Sequence, residues 1–182
     1  MMTRFAFSMP RIASIAVLGA LVTLVSCSEF GTPSRQGLYR MGDRAEAGTL
    51  VYTVLEADWQ PQLGEGASAR VPRNNFLMLR VNITNGGVQS ASIPQMRLIG
   101  PGGESYQEVT NGTGVQQWLG IVRSLRPAET MVGRVLFDVP RADYRLEVSD
   151  DAFDPEQKAT ALIEVPLRFE SGGDTLPERR AL

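Results

Sequence analysis

Apolar residues recur at every second position along much of the chain, and this alternation constrains the fold more than any other feature. In the stretch 76–84, Leu77, Leu79, Val81 and Ile83 alternate with residues that turn polar toward its end. Successive side chains of a β-strand point to opposite sides, so such a stretch turns one face to a core and the other to solvent. The region after residue 44 shows this period rather than the 3.6-residue period of an amphipathic helix. We therefore predict an all-β fold.

Glycine, proline and asparagine divide the alternating stretches into short strands, as at Asn85-Gly86-Gly87 and Gly100-Pro101-Gly102-Gly103. We predict strands at 50–55, 76–84, 96–99, 105–109, 118–122, 131–140, 144–148 and 161–169. Seven or eight short strands without a helix favour an antiparallel β-sandwich, with a closed barrel as the alternative. Pro166 has no backbone N–H, so the last strand or its end is expected at a sheet edge.

The first 26 residues have the pattern of a secretory signal peptide. Arg4 and Arg11 are the only charged residues there, and the run that follows them is apolar and rich in small side chains. A transmembrane helix is the alternative, but it needs about 20 apolar residues. This run is shorter, and polar sequence follows it at once. The pattern favours a signal peptide covering 1–26.

The motif Leu24-Val25-Ser26-Cys27 spans the end of this signal and the first residue after it, and it resembles a bacterial lipobox. The resemblance implies cleavage between Ser26 and Cys27, and lipid attachment to the Cys27 sulfur and amino group. Two acyl chains are enough to hold a protein stably on a bilayer. The alternative is an ordinary signal peptide with an incidental cysteine, which would leave an unpaired thiol outside the cytoplasm. We expect a lipid-anchored mature chain with a flexible tether over 27–44 and a polar tail over 171–182.

The residue types that are absent exclude several classes of function. The chain has no histidine and one cysteine, so Ser-His-Asp triads, His-ligated metal sites and disulfides within the chain are excluded. It contains no glycine-rich phosphate-binding loop, and we expect no cofactor. With 20 acidic and 18 basic residues, it also lacks the basic character that nucleic acids require.

Five short motifs, in their order along the chain, resemble the conserved pattern of a known domain family. They are Gly42-Asp43, the block 72–85, the block 102–106, Leu125-Arg126-Pro127-Ala128-Glu129 and the block 133–140. With these motifs, residues 41–168 resemble an immunoglobulin-like domain of unknown function found in many bacterial lipoproteins and secreted antigens. The resemblance implies an immunoglobulin-like antiparallel sandwich of 7–8 strands, here over 45–170, and an exported location. It implies no activity. Family members usually carry glycine at the position of Ala128.

Exposed aromatic side chains can anchor a partner, and three rings lie near predicted loops or strand ends. Trp59 and Tyr106 are candidates for contact with a ligand or a partner. Trp118 is assigned to the core or its edge, because sandwich cores use such rings to fill the space between the sheets.

Two groups of carboxylates could support chemistry. Asp150, Asp151, Asp154 and Glu156 form an acidic run that could bind calcium, but the run lacks the EF-hand spacing, which favours a solvated loop. A second set could provide the acid pair of a hydrolase if two members share a cleft. The members of that set are Glu104, Glu108, Asp138 and Asp143.

Two functions are therefore carried forward. The first is a non-enzymatic binding or envelope-assembly module that presents its sandwich to an envelope protein or a glycan, by edge-strand pairing or through its loops. The second is a carboxylate- or metal-dependent hydrolase of the envelope. It requires at least two acids that converge in one cleft.

Overall fold

The computed structural model describes residues 37–168, so the signal peptide, Cys27 and the polar tail lie outside the described residues. The regular elements of residues 37–168 are one 3₁₀ turn, Gly66–Ser68, and eleven strands, which are joined by turns and irregular loops. The strands are β1 Gly37–Tyr39, β2 Ala45–Ala47, β3 Leu50–Gln60, β4 Asn75–Asn85, β5 Ala91–Ser92, β6 Arg97–Ile99, β7 Ser105–Gln107, β8 Ser124–Leu125, β9 Thr130–Val139, β10 Tyr144–Ser149 and β11 Thr160–Val165. Within 37–168, no helix is long and apolar enough to cross a membrane.

Two sheets pack face to face. One has the order β1-β11-β10-β6-β7, the other has the order β2-β3-β4-β9, and a two-stranded ribbon, β5-β8, lies beside them. β3, β4 and β9 pair along nearly their whole length, with one irregularity in β3 between Val54 and Glu56. The prediction of an all-β sandwich is confirmed. The barrel alternative is wrong, because the strands form two separate open sheets.

The core lies between the sheets and follows the predicted alternation. Leu77, Leu79, Val81 and Ile83 of β4 are all fully buried, and they belong to one cluster with the inward residues of β3, β9, β10 and β11. A second, smaller cluster of Leu63, Phe76 and Leu136 forms on the other face of the four-stranded sheet. The loops around Leu63 and Val115 pack over this face. Phe76 and Leu136 are therefore buried, although the alternation along β4 and β9 alone would place their side chains in solvent.

The predicted tether is too long at its C-terminal end. Gly37–Tyr39 forms β1, which pairs with Ala161, Leu162 and Ile163 of β11 in a parallel arrangement. The sandwich therefore includes residues 37–39, which lie before the predicted start at 45, and the sheet is not wholly antiparallel. A strand of three residues is too short to show an alternating pattern, so its partner decides its conformation.

The edge position predicted for the last strand or its end holds only for the end, because β1 pairs with residues 161–163 and no described strand pairs with Glu164 and Val165 on that side. β11 lies between β1 and β10, and its ladder ends at Val165. Pro166 comes directly after the strand, so its missing N–H removes no bond from the ladder.

The strand predicted at 118–122 is not formed. Trp118 makes a single bridge to Arg134, and the N–H of Leu119 donates to the Arg134 carbonyl at 3.0 Å. This segment lies along the free edge of β9 as irregular chain. Gly133 permits the close approach, since a Cβ there would lie 2.7 Å from the Gln117 carbonyl oxygen. Half-buried Trp118 packs against Gly112, and the residue of this segment that packs on the core is Leu119.

The turn 126–129 keeps the backbone geometry of a glycine-containing turn. The Glu129 N–H donates to the Arg126 carbonyl at 3.1 Å, Pro127 occupies the second position, and Ala128 at the third has φ +60°. A positive φ at that position defines a type II turn, for which glycine is preferred.

Ala128→Gly is expected to raise the free energy of unfolding by about 0.5–1 kcal/mol. The relief of left-handed strain, about 1–2 kcal/mol, exceeds the entropy that glycine adds to the unfolded chain. Urea denaturation measures the change. Ala69→Gly is the control, because Ala69 has φ −62° and its replacement should destabilise the fold. Equal effects at both positions would contradict the strain argument.

Candidate functional site: a groove beside an aromatic cluster

Trp59 and Tyr106, the two rings that the sequence suggested as partner contacts, both pack against the ring of Tyr144, which the sequence did not suggest. The Tyr144 ring lies 6.4 Å from that of Trp59 and 5.8 Å from that of Tyr106, centroid to centroid, the second pair edge to face. Trp59 lies near the end of β3, Tyr106 in β7 and Tyr144 at the start of β10, so the cluster joins both sheets at one end of the sandwich. The sequence placed Tyr144 only at the start of the strand predicted at 144–148.

Tyr144 is held firmly in this position. Its hydroxyl donates a 2.7 Å hydrogen bond to the Pro140 carbonyl, four residues upstream. The arrangement resembles the tyrosine corner of immunoglobulin-like sandwiches, in which a tyrosine at the start of a strand bonds back to the preceding chain. Burial raises the Tyr144 pKa to about 12, and Tyr106 and Glu104 nearby add to the increase. The phenol is therefore neutral at physiological pH and acts as a donor.

Trp59 carries a polar atom whose hydrogen-bonding capacity is not used. Its indole Nε1 is buried and has no acceptor among the described residues. The Arg141 guanidinium lies 5.5 Å from the ring centroid, within the range of a cation–π contact. A buried N–H without an acceptor costs about 1–3 kcal/mol, so the environment of Trp59 is not optimised for stability alone.

A groove of about 710 Å³ adjoins the cluster and shares Tyr144 with it. Four segments line it, namely 40–41, 99–101, 143–145 and 164–166. They come from the chain after β1, the end of β6, the start of β10 and the end of β11, so pairing of those strands assembles the groove. We call this end of the sandwich the groove end.

The groove combines apolar walls with charged side chains that form no close ion pair within residues 37–168, although Arg145 and Glu164 lie opposite each other on β10 and β11. Met41, Ile99 and Val165 provide apolar surface. The side chains of Arg40 and Arg145 are exposed at its rim and make no hydrogen bond or ion pair within residues 37–168. Glu164 is likewise exposed and unpaired there. Groups of both signs are thus available to a ligand.

The calcium candidates are occupied in holding their own loop together. Asp150 Oδ1 accepts bonds from the N–H groups of Ala152 and Ala159, and Asp151 Oδ2 accepts one from Ser92 at 2.7 Å. Asp154 accepts from the N–H of Glu156 at 3.0 Å, whereas the Glu156 carboxylate is exposed. In the described part of the chain, no three carboxylates converge as metal ligands would.

The acids considered for hydrolysis have separate structural partners. The Asp138 carboxylate accepts hydrogen bonds from the backbone N–H groups of Arg73 and Asn74. The Asp143 carboxylate accepts one from the N–H of Leu167, and the Glu104 carboxylate accepts one from the N–H of Gly102. Of this set only Asp143 lines the groove. The geometry therefore brings no two members of this set into the groove, where the other acid of the lining is Glu164.

Glu108, the fourth of these acids, belongs to a buried ion pair that the sequence did not reveal. Its Oε2 lies 2.6 Å from Arg123 Nη2, and its Oε1 accepts the Met96 N–H at 2.6 Å. Burial raises the Glu108 pKa above its ordinary value, although Arg123 and the Met96 bond act in the opposite direction. Arg123 Nε and Nη1 are also buried and lack acceptors among the described residues.

Solved structures with the same fold come from several bacteria. The yjhA protein of Bacillus subtilis is 17% identical, with 69% of this chain and 98% of that chain covered, at a TM-score of 0.56. A putative lipoprotein of the same species, ycdA, is 10% identical over 70% of this chain and 40% of that chain, at 0.53. A functionally unknown protein from Listeria monocytogenes is 12% identical, with 69% and 82% covered, at 0.51.

At these identities the structures support the sandwich fold. No curated protein matches the sequence. A family model does match, across residues 39–158, which include nearly every strand described above. The chain therefore belongs to the family described as Domain of unknown function (DUF4352).

Proposed function

We propose that this chain is an exported, lipid-anchored binding module without enzymatic activity, and that its groove holds an extended segment of another envelope protein. The observation that carries this proposal is the groove itself, in which Arg40, Arg145 and Glu164 remain unpaired beside apolar walls. Binding sites usually combine apolar lining with a few polar groups that fix the orientation of the ligand.

A peptide fits the groove better than a glycan does. Sugars stack on exposed ring faces, but the Tyr144 ring is buried, and Trp59 and Tyr106 pack against it. A peptide offers backbone donors and acceptors, apolar side chains and charges of either sign, which match the apolar walls and the free ionic groups. The position of the groove at strand ends leaves it accessible in a domain held on a tether.

Export and anchoring rest on the N-terminal sequence. The signal pattern of 1–26 and the Leu24-Val25-Ser26-Cys27 motif support a lipidated mature protein. The putative lipoprotein with the same fold is consistent with this proposal. Replacing Cys27 with serine should release the protein from washed membranes, and unchanged fractionation would contradict the anchor.

Groove binding is tested by site-specific photo-crosslinking in cells. A photoreactive residue at Ile99 should give a protein adduct, whereas the same residue at exposed Val71, outside the groove, should not. Arg145→Glu should reduce the Ile99 adduct about tenfold, because a charge-assisted hydrogen bond contributes about 1.5–3 kcal/mol. Arg73→Glu is the matched control, being exposed and outside the groove lining.

Three results would contradict the groove assignment. They are equal crosslinking from Ile99 and Val71, an adduct that is insensitive to Arg145→Glu, and a glycan in place of a protein in the Ile99 adduct. The hydrolase alternative is less well supported, because its carboxylates accept hydrogen bonds from neighbouring backbone or pair with Arg123.

A further inference from the structure

Three loops expose large apolar side chains that the fold does not use. Val88 is 91% exposed, Val122 is 98% exposed and Phe153 is fully exposed, with an accessibility of 104%. Val88 lies between β4 and β5, Val122 precedes β8, and Phe153 lies between β10 and β11. Single exposed apolar residues are ordinary, but several on adjacent loops mark a protein or membrane contact.

Hydrogen bonds bring the three loops to one end of the sandwich. The Ser92 N–H donates to Asp151 at 2.7 Å, which ties the Val88 loop to the Phe153 loop. The Ile93 N–H donates to the Arg123 carbonyl at 3.0 Å, and β5 pairs with β8, which ties the Val88 loop to the Val122 loop. We call this end the loop end. It is opposite the groove end, because β10 runs from Tyr144 at the groove to Ser149 beside the Phe153 loop.

The described chain also begins at the loop end. Gly37 pairs with Ala161, and the neighbouring Thr160 pairs with Ser149 across the base of the Phe153 loop. β1 then runs toward the groove and ends before Arg40, which lines it. An anchor on the sequence before Gly37 therefore joins the domain at the end that carries the exposed apolar residues.

We propose that Val88, Val122 and Phe153 insert into the headgroup region of the bilayer that holds the lipidated Cys27. This inference rests on the proposed lipid anchor and adds a second, protein-borne contact to it. Each methylene that leaves water contributes about 0.8 kcal/mol, so three apolar side chains suffice to orient a domain that is already tethered. The groove end then faces away from the membrane and stays open to a partner.

The charges on the loops specify the kind of lipid surface. Asp150, Asp151 and Asp154 flank Phe153 and accept bonds from backbone N–H groups, so they brace the loop on which the ring projects. The carboxylates still repel anionic headgroups. Insertion should therefore be deepest in zwitterionic bilayers and should decrease as phosphatidylglycerol is added.

The full-length mature protein provides the test, because Cys27 is its only cysteine and the proposed anchor occupies the sulfur of that residue. Val88→Cys, Val122→Cys and Phe153→Cys each then introduce the single free thiol, which is labelled with an environment-sensitive fluorophore. Val71→Cys is the matched control, since Val71 is 73% exposed and precedes β4, whose first residue pairs with Val139 at the groove end. All four proteins are reconstituted into vesicles of phosphatidylethanolamine and phosphatidylcholine.

At 88, 122 and 153 we expect several-fold weaker quenching by aqueous iodide than at 71, together with quenching by spin-labelled lipid. Equal iodide quenching at all four positions overturns the proposal. So does protection that occurs only in native membranes and not in pure lipid vesicles, which would assign the loops to a protein partner. If unlabelled protein does not float with the vesicles, the proposed lipid anchor is wrong. Flotation thus tests the anchor, whereas the quenching of the four labels tests the insertion of the loops.

Discussion

Replacing Glu108 with alanine is expected to lower the free energy of unfolding by about 3–5 kcal/mol. The Arg123 guanidinium lies 2.6 Å from the Glu108 carboxylate, and both side chains are almost completely buried. Without Glu108 the guanidinium keeps its charge in the interior, and the Met96 N–H loses its acceptor. Urea denaturation at neutral pH, followed by circular dichroism, measures the loss. A change below about 1 kcal/mol, the range of an exposed pair, would show that the pair is not buried in solution.

The stability of the Arg123→Met variant should depend on pH in a defined direction. Burial raises the Glu108 pKa, and Arg123 is the largest influence that lowers it, so removal of Arg123 raises it further. A carboxyl with a raised pKa binds its proton more tightly in the folded state than in the unfolded state. Its stabilising contribution is then fully present below the unfolded value of 4.5 and is lost as the pH rises through the folded pKa. The variant should therefore be closest to the wild type in acid.

Two controls separate burial of charge from loss of contact. Replacing both residues, as in Glu108→Leu with Arg123→Met, should restore most of the stability lost in Glu108→Ala, because apolar residues of similar volume replace buried pairs well. The remaining loss is that of the Met96 N–H, which still lacks its acceptor. Glu56→Ala removes the carboxylate from an exposed pair with Arg80 and should cost less than about 1 kcal/mol. A penalty in Arg123→Met that is the same at every pH would contradict the assignment to Glu108.

The second large effect is expected at Asn85, which is completely buried at the end of β4. Its Nδ2 donates to the carbonyls of Gln89 and Leu125, at 2.7 and 3.1 Å, and its Oδ1 accepts the Gly87 N–H at 2.9 Å. These bonds hold the loop after β4 against the chain before the turn 126–129. Asn85→Ala would leave buried polar groups without partners, at about 1–3 kcal/mol each, so we expect a total loss of about 3 kcal/mol.

Asn82 provides a control on the same strand. Its Oδ1 is buried without a hydrogen-bond partner among the described residues, so Asn82→Ala should cost less than Asn85→Ala. Denaturation of the two variants under identical conditions gives the comparison. Amide hydrogen exchange should also accelerate at Gly87 in Asn85→Ala only. Equal losses at the two positions would show that the three hydrogen bonds of Asn85 do not determine its effect.

The parts of the fold that were predicted correctly are those in which local pattern and tertiary role coincide. β4 and β9 are long, and each buries one alternating face, so their periodicity is visible without knowledge of a partner. β1 and the segment 118–122 were misjudged because their conformation depends on a neighbouring strand, β11 for the first and β9 for the second. Their own residues carry too little pattern to decide between strand and coil.

Of the residues that line the groove, the sequence named only Asp143 as a candidate, and Trp59 and Tyr106 do not line it. Trp59 and Tyr106 could be selected because large rings near strand ends are uncommon, but their contact with Tyr144 depends on how the two sheets pack. The Arg123–Glu108 pair and the bond from Asn85 to Leu125 join residues 15 and 40 positions apart. No local spacing rule connects such residues, so polar contacts of this kind cannot be predicted from one sequence.

The sequence by itself determined that the domain within residues 37–168 is all-β, and it predicts an export signal before that domain, because residue period and residue composition are local properties. It also limited the available chemistry, since these residues, which include no histidine and one cysteine, cannot build a Ser-His-Asp triad, a His-ligated metal site or a disulfide within the chain. Only the tertiary structure decided which charges are neutralised and which stay free. It buries Arg123 against Glu108, leaves Arg40 and Arg145 unpaired in a groove, and gathers Val88, Val122 and Phe153 at the opposite end. The reason is that burial and pairing are properties of neighbours in space, and the pairing of two sheets places residues distant in sequence side by side.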